Sequence, residues 1–120
     1  MKPELRVAAH ESGSRAVVMI SGRLVGGEGA SVLLFRVRRL LEHGVRRIAL
    51  DLSGARMMDC SGLGLVLACQ RAASRRGAVL RVLRAPVSIR RMFEASRLID
   101  LLESRDSAGR RPHEALAIPA

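Results

Sequence analysis

The stretch from Arg47 to Arg76 admits few folds, because it changes period in the middle. Ile48, Leu50 and Leu52 alternate with Ala49 and Asp51, which predicts a strand. A short loop follows, and then a helix that starts beside Asp59, Cys60 and Ser61. Leu63, Val66, Leu67 and Ala73 fall on one helical stripe, and Gln70, Arg71, Ser74 and Arg75 on another. Gly62, Gly64 and Ala68 leave room for this helix to approach a neighbouring backbone. Asp59, Cys60 and Ser61 therefore sit where first-turn N–H groups face solvent and the helix dipole favours negative charge. Capping is the plain role of such residues. A surface hydroxyl open to a kinase is the sharper one.

The rest of the chain fits around that unit. Glu4 to His10 alternates weakly, as an edge-like strand, and Glu11-Ser12-Gly13-Ser14 reads as a turn. Ala16 to Ile20 is a continuous apolar run, expected of a central strand. Ser21 to Gly27 reads as a glycine-rich connector; it lacks Gly-Lys-Ser/Thr and a GxGxxG pattern, so it is no phosphate loop. A helix is expected over Gly29 to His43, stopped by Gly44, with Leu33, Leu34, Val37, Leu40 and Leu41 inward and Val32, Phe35 and Arg39 outward. Val79 to Leu83 reads as a strand with Arg81 on its less buried face, and Ala85-Pro86 opens a helix. Ile89, Met92, Phe93 and Ser96 line the inner side of that helix; Arg90, Arg91, Glu94 and Arg97 line the outer. Leu98 to Leu102 reads as a last strand, and Glu114 to Ile118 as a final short helix. The order implies an α/β fold: one domain, with a mixed sheet of four to five strands packed by three to four helices. The domain is expected over 1–103, with a polar tail over 104–120.

Charge and cysteine usage narrow the function. The net charge of +10 is nearly all arginine, spread over every predicted helix and several loops, and Phe35 and Phe93 are the sole aromatics. A nucleic-acid site wants a basic stripe with stacking platforms, so no direct nucleic-acid partner is expected, and a nucleic-acid-binding module using the arginine excess is the less favoured alternative. Cys60 and Cys69 lie on one helix, about 13 Å apart along its axis, and cannot bridge each other. There is no CxxC, and His10, His43 and His113 are scattered, so neither metal nor cofactor is expected. No apolar run reaches membrane-spanning length and the first residues lack a signal-peptide core, which makes the cytoplasm the default. No acid/base pair or Gly-x-Ser-x-Gly elbow is visible, so an enzyme is not expected.

Leu50-Asp51-Leu52-Ser53, then Met58-Asp59-Cys60-Ser61-Gly62-Leu63-Gly64, then Ala85-Pro86-Val87 through Arg91-Met92-Phe93 resemble the STAS domain, in element order as well as motif, over roughly residues 4 to 103. The closest type is the bacterial anti-sigma factor antagonist. The resemblance implies partner switching: the antagonist binds an anti-sigma factor that is also a serine kinase with a histidine-kinase-like ATPase fold, and so frees a sigma factor. Phosphorylation of the first Ser of an Asp-Ser-Ser-Gly-Leu-Gly motif breaks that complex, because a dianion in a packed interface is costly. Residues implied in partner binding are Asp59, Cys60, Ser61, Gly62, Leu63, Val66, Gln70 and Arg71.

The match fails at the acceptor itself. Cys60 stands where the family carries its phosphorylated Ser, and Ser61 matches the second Ser. Val25, in the loop after the second strand, replaces a commonly acidic residue. Three readings follow: an antagonist always competent to bind, one that uses Ser61 as substitute acceptor, or a STAS scaffold in a transport or sensory assembly. A thiol at a helix start also admits redox sensing. The outward Val32 and Phe35 leave open a partner patch or a homodimer.

Overall fold

The computed structural model describes residues 5–26, 31–98 and 101. Among these, the order is β1 (Leu5–Ser12), β2 (Arg15–Leu24), α1 (Ser31–Glu42), β3 (Arg47–Met58), α2 (Cys60–Arg75), β4 (Val79–Leu83) and α3 (Val87–Ala95). The four strands form one mixed sheet in the order β1-β2-β3-β4. A hairpin makes the first pair antiparallel, and the helical crossovers make β2–β3 and β3–β4 parallel.

That order decides where the helices lie. Both parallel connections step across the sheet in the same direction, so right-handed crossovers must place α1 and α2 on the same face. They do, and they pack against each other. Ala16, Val18, Ile20, Ile48, Leu50, Leu80 and Val82 point from the sheet into this core. Leu33, Val37, Leu40 and Leu41 enter it from α1; Leu63, Val66, Cys69 and Ala73 from α2; Ile89 and Phe93 from α3. Leu34 packs at its edge, partly buried. Val17, Ala49 and Leu83, one residue out of phase, form a small separate cluster on the opposite face.

Three expectations are corrected by the ladder. β1 runs on to Ser12, so the turn shrinks to Gly13-Ser14. Ser21 to Leu24 is not a connector but the far half of β2, pairing with β3 from Gly54 to Met58. The register shifts there, with Gly22 at φ +94, a backbone that glycine adopts without the Cβ penalty other residues meet. For the same reason Ser53 to Met58 is strand, not the loop expected before α2. Ser96 is an exposed C-cap, not an inward residue. Of the expected last strand, Leu98 and Leu101 are described, and Leu101 sits in a 3₁₀ turn with its N–H donating to the Leu98 carbonyl at 3.0 Å. The expected helix over Glu114 to Ile118 and the tail 104–120 lie outside the described residues. No helix among the described residues is long and apolar enough to cross a membrane.

Candidate functional site

β3 ends at Met58 and α2 begins at Cys60, so the turn between them is a single residue. Asp59 fills it. Its backbone is extended (φ −109, ψ −174) and its Oδ1 accepts from the Gly62 N–H at 2.8 Å, the geometry of an N-cap. Its carbonyl accepts from the Leu63 N–H at 3.0 Å and opens the helical ladder. Cys60 and Ser61 are exposed in the first turn. The site lies at the carboxyl end of β3, where parallel α/β sheets place their ligand-facing loops.

Gly62 fixes the height of this turn. A Cβ there would stand 2.0 Å from the Leu24 carbonyl oxygen, so α2 rests directly on the end of β2. Gly26, beyond β2, passes so near Ser61 that a Cβ on it would lie 2.9 Å from the serine Cβ. Ser61 is thus flanked by the chain that leaves β2. Gly64 meets nothing within 4 Å, so its smallness serves no close approach inside the domain.

The structure divides the residues implied in docking. Asp59, Cys60 and Ser61 come together, and Arg71 is exposed on the same helix. Gln70 is half-buried. Gly62 and Leu63 are buried, and Val66 is fully buried at 0% exposure, so its side chain belongs to the core and not to a docking surface. The outer face of α2 instead runs Cys60, Gly64, Leu67, Arg71, at i, i+4, i+7 and i+11, with Leu67 half-buried. Met57, 45% exposed at the end of β3, adds an apolar side chain beside the turn. Gly64 and Met57 were missed as surface residues. The signal for Gly64 was its i+4 spacing from Cys60; for Met57 it was strand alternation carried past Leu52.

The two cysteines have opposite environments. Cys60 is exposed. Cys69 is buried, and that burial pushes its thiol up to about 12, against a weaker opposing pull from Arg38. The unfolded chain would lose this proton from about 9.0 upward while the fold keeps it. The Cys69 thiol's contribution to stability is therefore expected to be constant below about pH 9 and to be lost as pH rises toward about 12. A thiol titration with a disulfide reagent near neutral pH should count one fast thiol, Cys60, and a second only in denaturant. Two fast thiols in the native protein would contradict the burial of Cys69. Among the described residues no three His, Cys, Asp or Glu side chains gather as metal ligands would.

These features define a class: a single α/β domain presenting a capped helix start at the carboxyl end of a mixed sheet. The family model described as "Mlab, STAS domain" matches residues 7–103, and the chain belongs to the STAS family. Comparison with curated proteins returns no match. Among solved structures, the chain is similar to the anti-sigma factor antagonist SpoIIAA in its unphosphorylated form, with TM-score 0.75, 18% identity, and 96% of this chain and 100% of that one covered. The phosphorylated form of Bacillus SpoIIAA gives 0.67, 19%, and 93% and 97%. An anti-sigma factor antagonist from Mycobacterium paratuberculosis gives 0.72, 16%, and 94% and 92%. A sulfate transporter family protein from Wolinella succinogenes gives 0.60, 13%, and 79% and 81%. At these identities the likenesses establish the fold.

Proposed function

We propose that this chain is an anti-sigma factor antagonist. It docks through the start and outer face of α2 onto an anti-sigma factor with a histidine-kinase-like ATPase fold and so releases a sigma factor. One observation carries the reading: the motif position of Cys60 stands exposed in the first turn of α2, beside the Asp59 cap, on the fold shared with SpoIIAA. The domain acts by binding rather than catalysis, in the cytoplasm. A cysteine offers a serine kinase no hydroxyl, so the phospho-switch is absent at position 60; the antagonist stays competent to bind unless Ser61 accepts the phosphate. Ser61 is exposed, which is compatible with that role.

The test is capture from the source organism's lysate on the immobilised chain, with washes rising from about 50 to 200 mM salt. The expected result is retention of an anti-sigma ATPase across that range, since a packed apolar interface is little screened. Recovery of nucleic acid that washes off steeply would overturn it. Recovery of transport subunits would favour the second reading, a STAS accessory domain, which the sulfate transporter family likeness supports.

A further inference from the structure

Among the described residues β1 is the edge of the sheet, and along its outer side alternate N–H and C=O groups point away from β2. α1 runs beside it. Between them lies a groove of about 310 Å³, lined by Ala9 and Glu11 from the strand, by Phe35, Arg36 and Arg39 from the helix and by His43 just past its end. Phe35 is 59% exposed and Val32, one turn earlier, 43%. The Arg39 guanidinium lies over the Phe35 ring, 5.8 Å from its centroid. At one end His43 Nδ1 meets Glu11 Oε2 at 3.4 Å and joins helix to strand.

A strand edge left unpaired by the described residues and facing an apolar, cation-walled helix is the geometry in which extended peptides add to a sheet: main-chain hydrogen bonds give affinity, and alternate side chains enter the groove. We propose that this groove takes an extended acidic segment of a partner protein as a fifth strand beside β1. An apolar side chain of the segment rests on Phe35 and Val32, and its carboxylates face Arg36 and Arg39. Charge selects this occupant over a second copy. The chain carries +10 overall and the helix wall of the groove offers Arg36 and Arg39, so a second copy would bring further net positive charge onto a positive surface, whereas an acidic segment complements it. Glu11, the groove's own carboxylate, is held by His43. The surface is separate from the α2 turn, so this inference stands apart from the antagonist reading.

A fluorescein-labelled octapeptide of alternating Glu and Val is the probe, followed by polarisation because the chain has neither Trp nor Tyr. Amide shifts by NMR map the site. We expect saturable binding with shifts confined to β1 and α1. A Lys/Val peptide should bind at least about tenfold more weakly. N-methylation along one edge of the peptide should abolish binding, while methylation along the other leaves it intact. Phe35→Ala and the pair Arg36→Glu with Arg39→Glu, all at exposed positions, should each weaken it with the far-UV CD spectrum unchanged. Cys60→Asp should leave it unaltered. No saturable shift up to about 1 mM peptide would overturn the proposal. So would equal binding of both N-methylated peptides, or equal binding of the Lys peptide. A dimer in sedimentation that Phe35→Ala dissolves would assign the groove to a second copy instead.

Discussion

Gly62→Ala is expected to lower the unfolding free energy by roughly 3 kcal/mol or more, at the upper end of overpacking costs. The new Cβ would stand 2.0 Å from the Leu24 carbonyl oxygen, 2.9 Å from Met58 Cγ and 3.0 Å from the Leu24 carbonyl carbon. The Met58 thioether chain can turn aside. The Leu24 carbonyl cannot, because Leu24 is held in register against Met58 at the end of the β2–β3 ladder. The first turn of α2 must lift instead. That movement withdraws Leu63 and Val66 from the core and strains the 2.8 Å bond from the Gly62 N–H to Asp59. Gly64→Ala is the matched control. It lies in the same helix with nothing within 4 Å, so alanine should stabilise the domain by roughly 0.5–1 kcal/mol through helix propensity. Urea denaturation of the three proteins reads both values. A Gly62→Ala variant within about 0.5 kcal/mol of the parent would mean that α2 does not rest on β2.

The contrast between those glycines shows what the sequence could and could not say. Both invited the same reading, close approach to a backbone, and only the fold tells that Gly62 meets Leu24 while Gly64 faces solvent. Elements with a strong period were legible: the α1 stripe of Leu33, Val37, Leu40 and Leu41 and the alternation from Ile48 to Leu52 both reach the core. Asp59 was legible as a cap, because a short acceptor before an apolar helix has one local use. The far halves of β2 and β3 were not. Ser21-Gly22 and Ser53-Gly54 are turn formers taken alone, and they are strand because each pairs with the other across a shifted register. That pairing is non-local, and no window of one strand contains it. Spacing put Val66 on the apolar stripe, where the structure has it; only the role in docking that the resemblance implied for Val66 conflicts with its burial. The core stripe runs Leu63, Val66, Cys69, Ala73, and the exposed face with Cys60, Gly64 and Arg71 lies on the other side.

On the antagonist function proposed above, Cys60→Asp should abolish capture of the anti-sigma partner, and Cys60→Ser should introduce a phospho-switch at position 60. The carboxylate arrives in the first turn of α2, where the helix dipole contributes roughly 0.3–1 kcal/mol in its favour, so the fold should not suffer. Thermal unfolding at or above the parent's midpoint checks this. In a packed interface the same charge is desolvated without a partner, at a cost on the order of 2–5 kcal/mol, or roughly 30- to several-thousand-fold in affinity. Serine differs from cysteine by one atom and no charge. Cys60→Ser should therefore bind as the parent does without ATP, and lose the partner when ATP lets an active kinase phosphorylate it. The parent should hold its partner with or without ATP. If ATP releases the parent too, Ser61→Ala decides the cause: restored retention would make Ser61 the acceptor, flanked as it is by Gly26. Should Cys60→Asp bind as tightly as the parent, the partner does not cover the start of α2, and the antagonist reading fails at its own site.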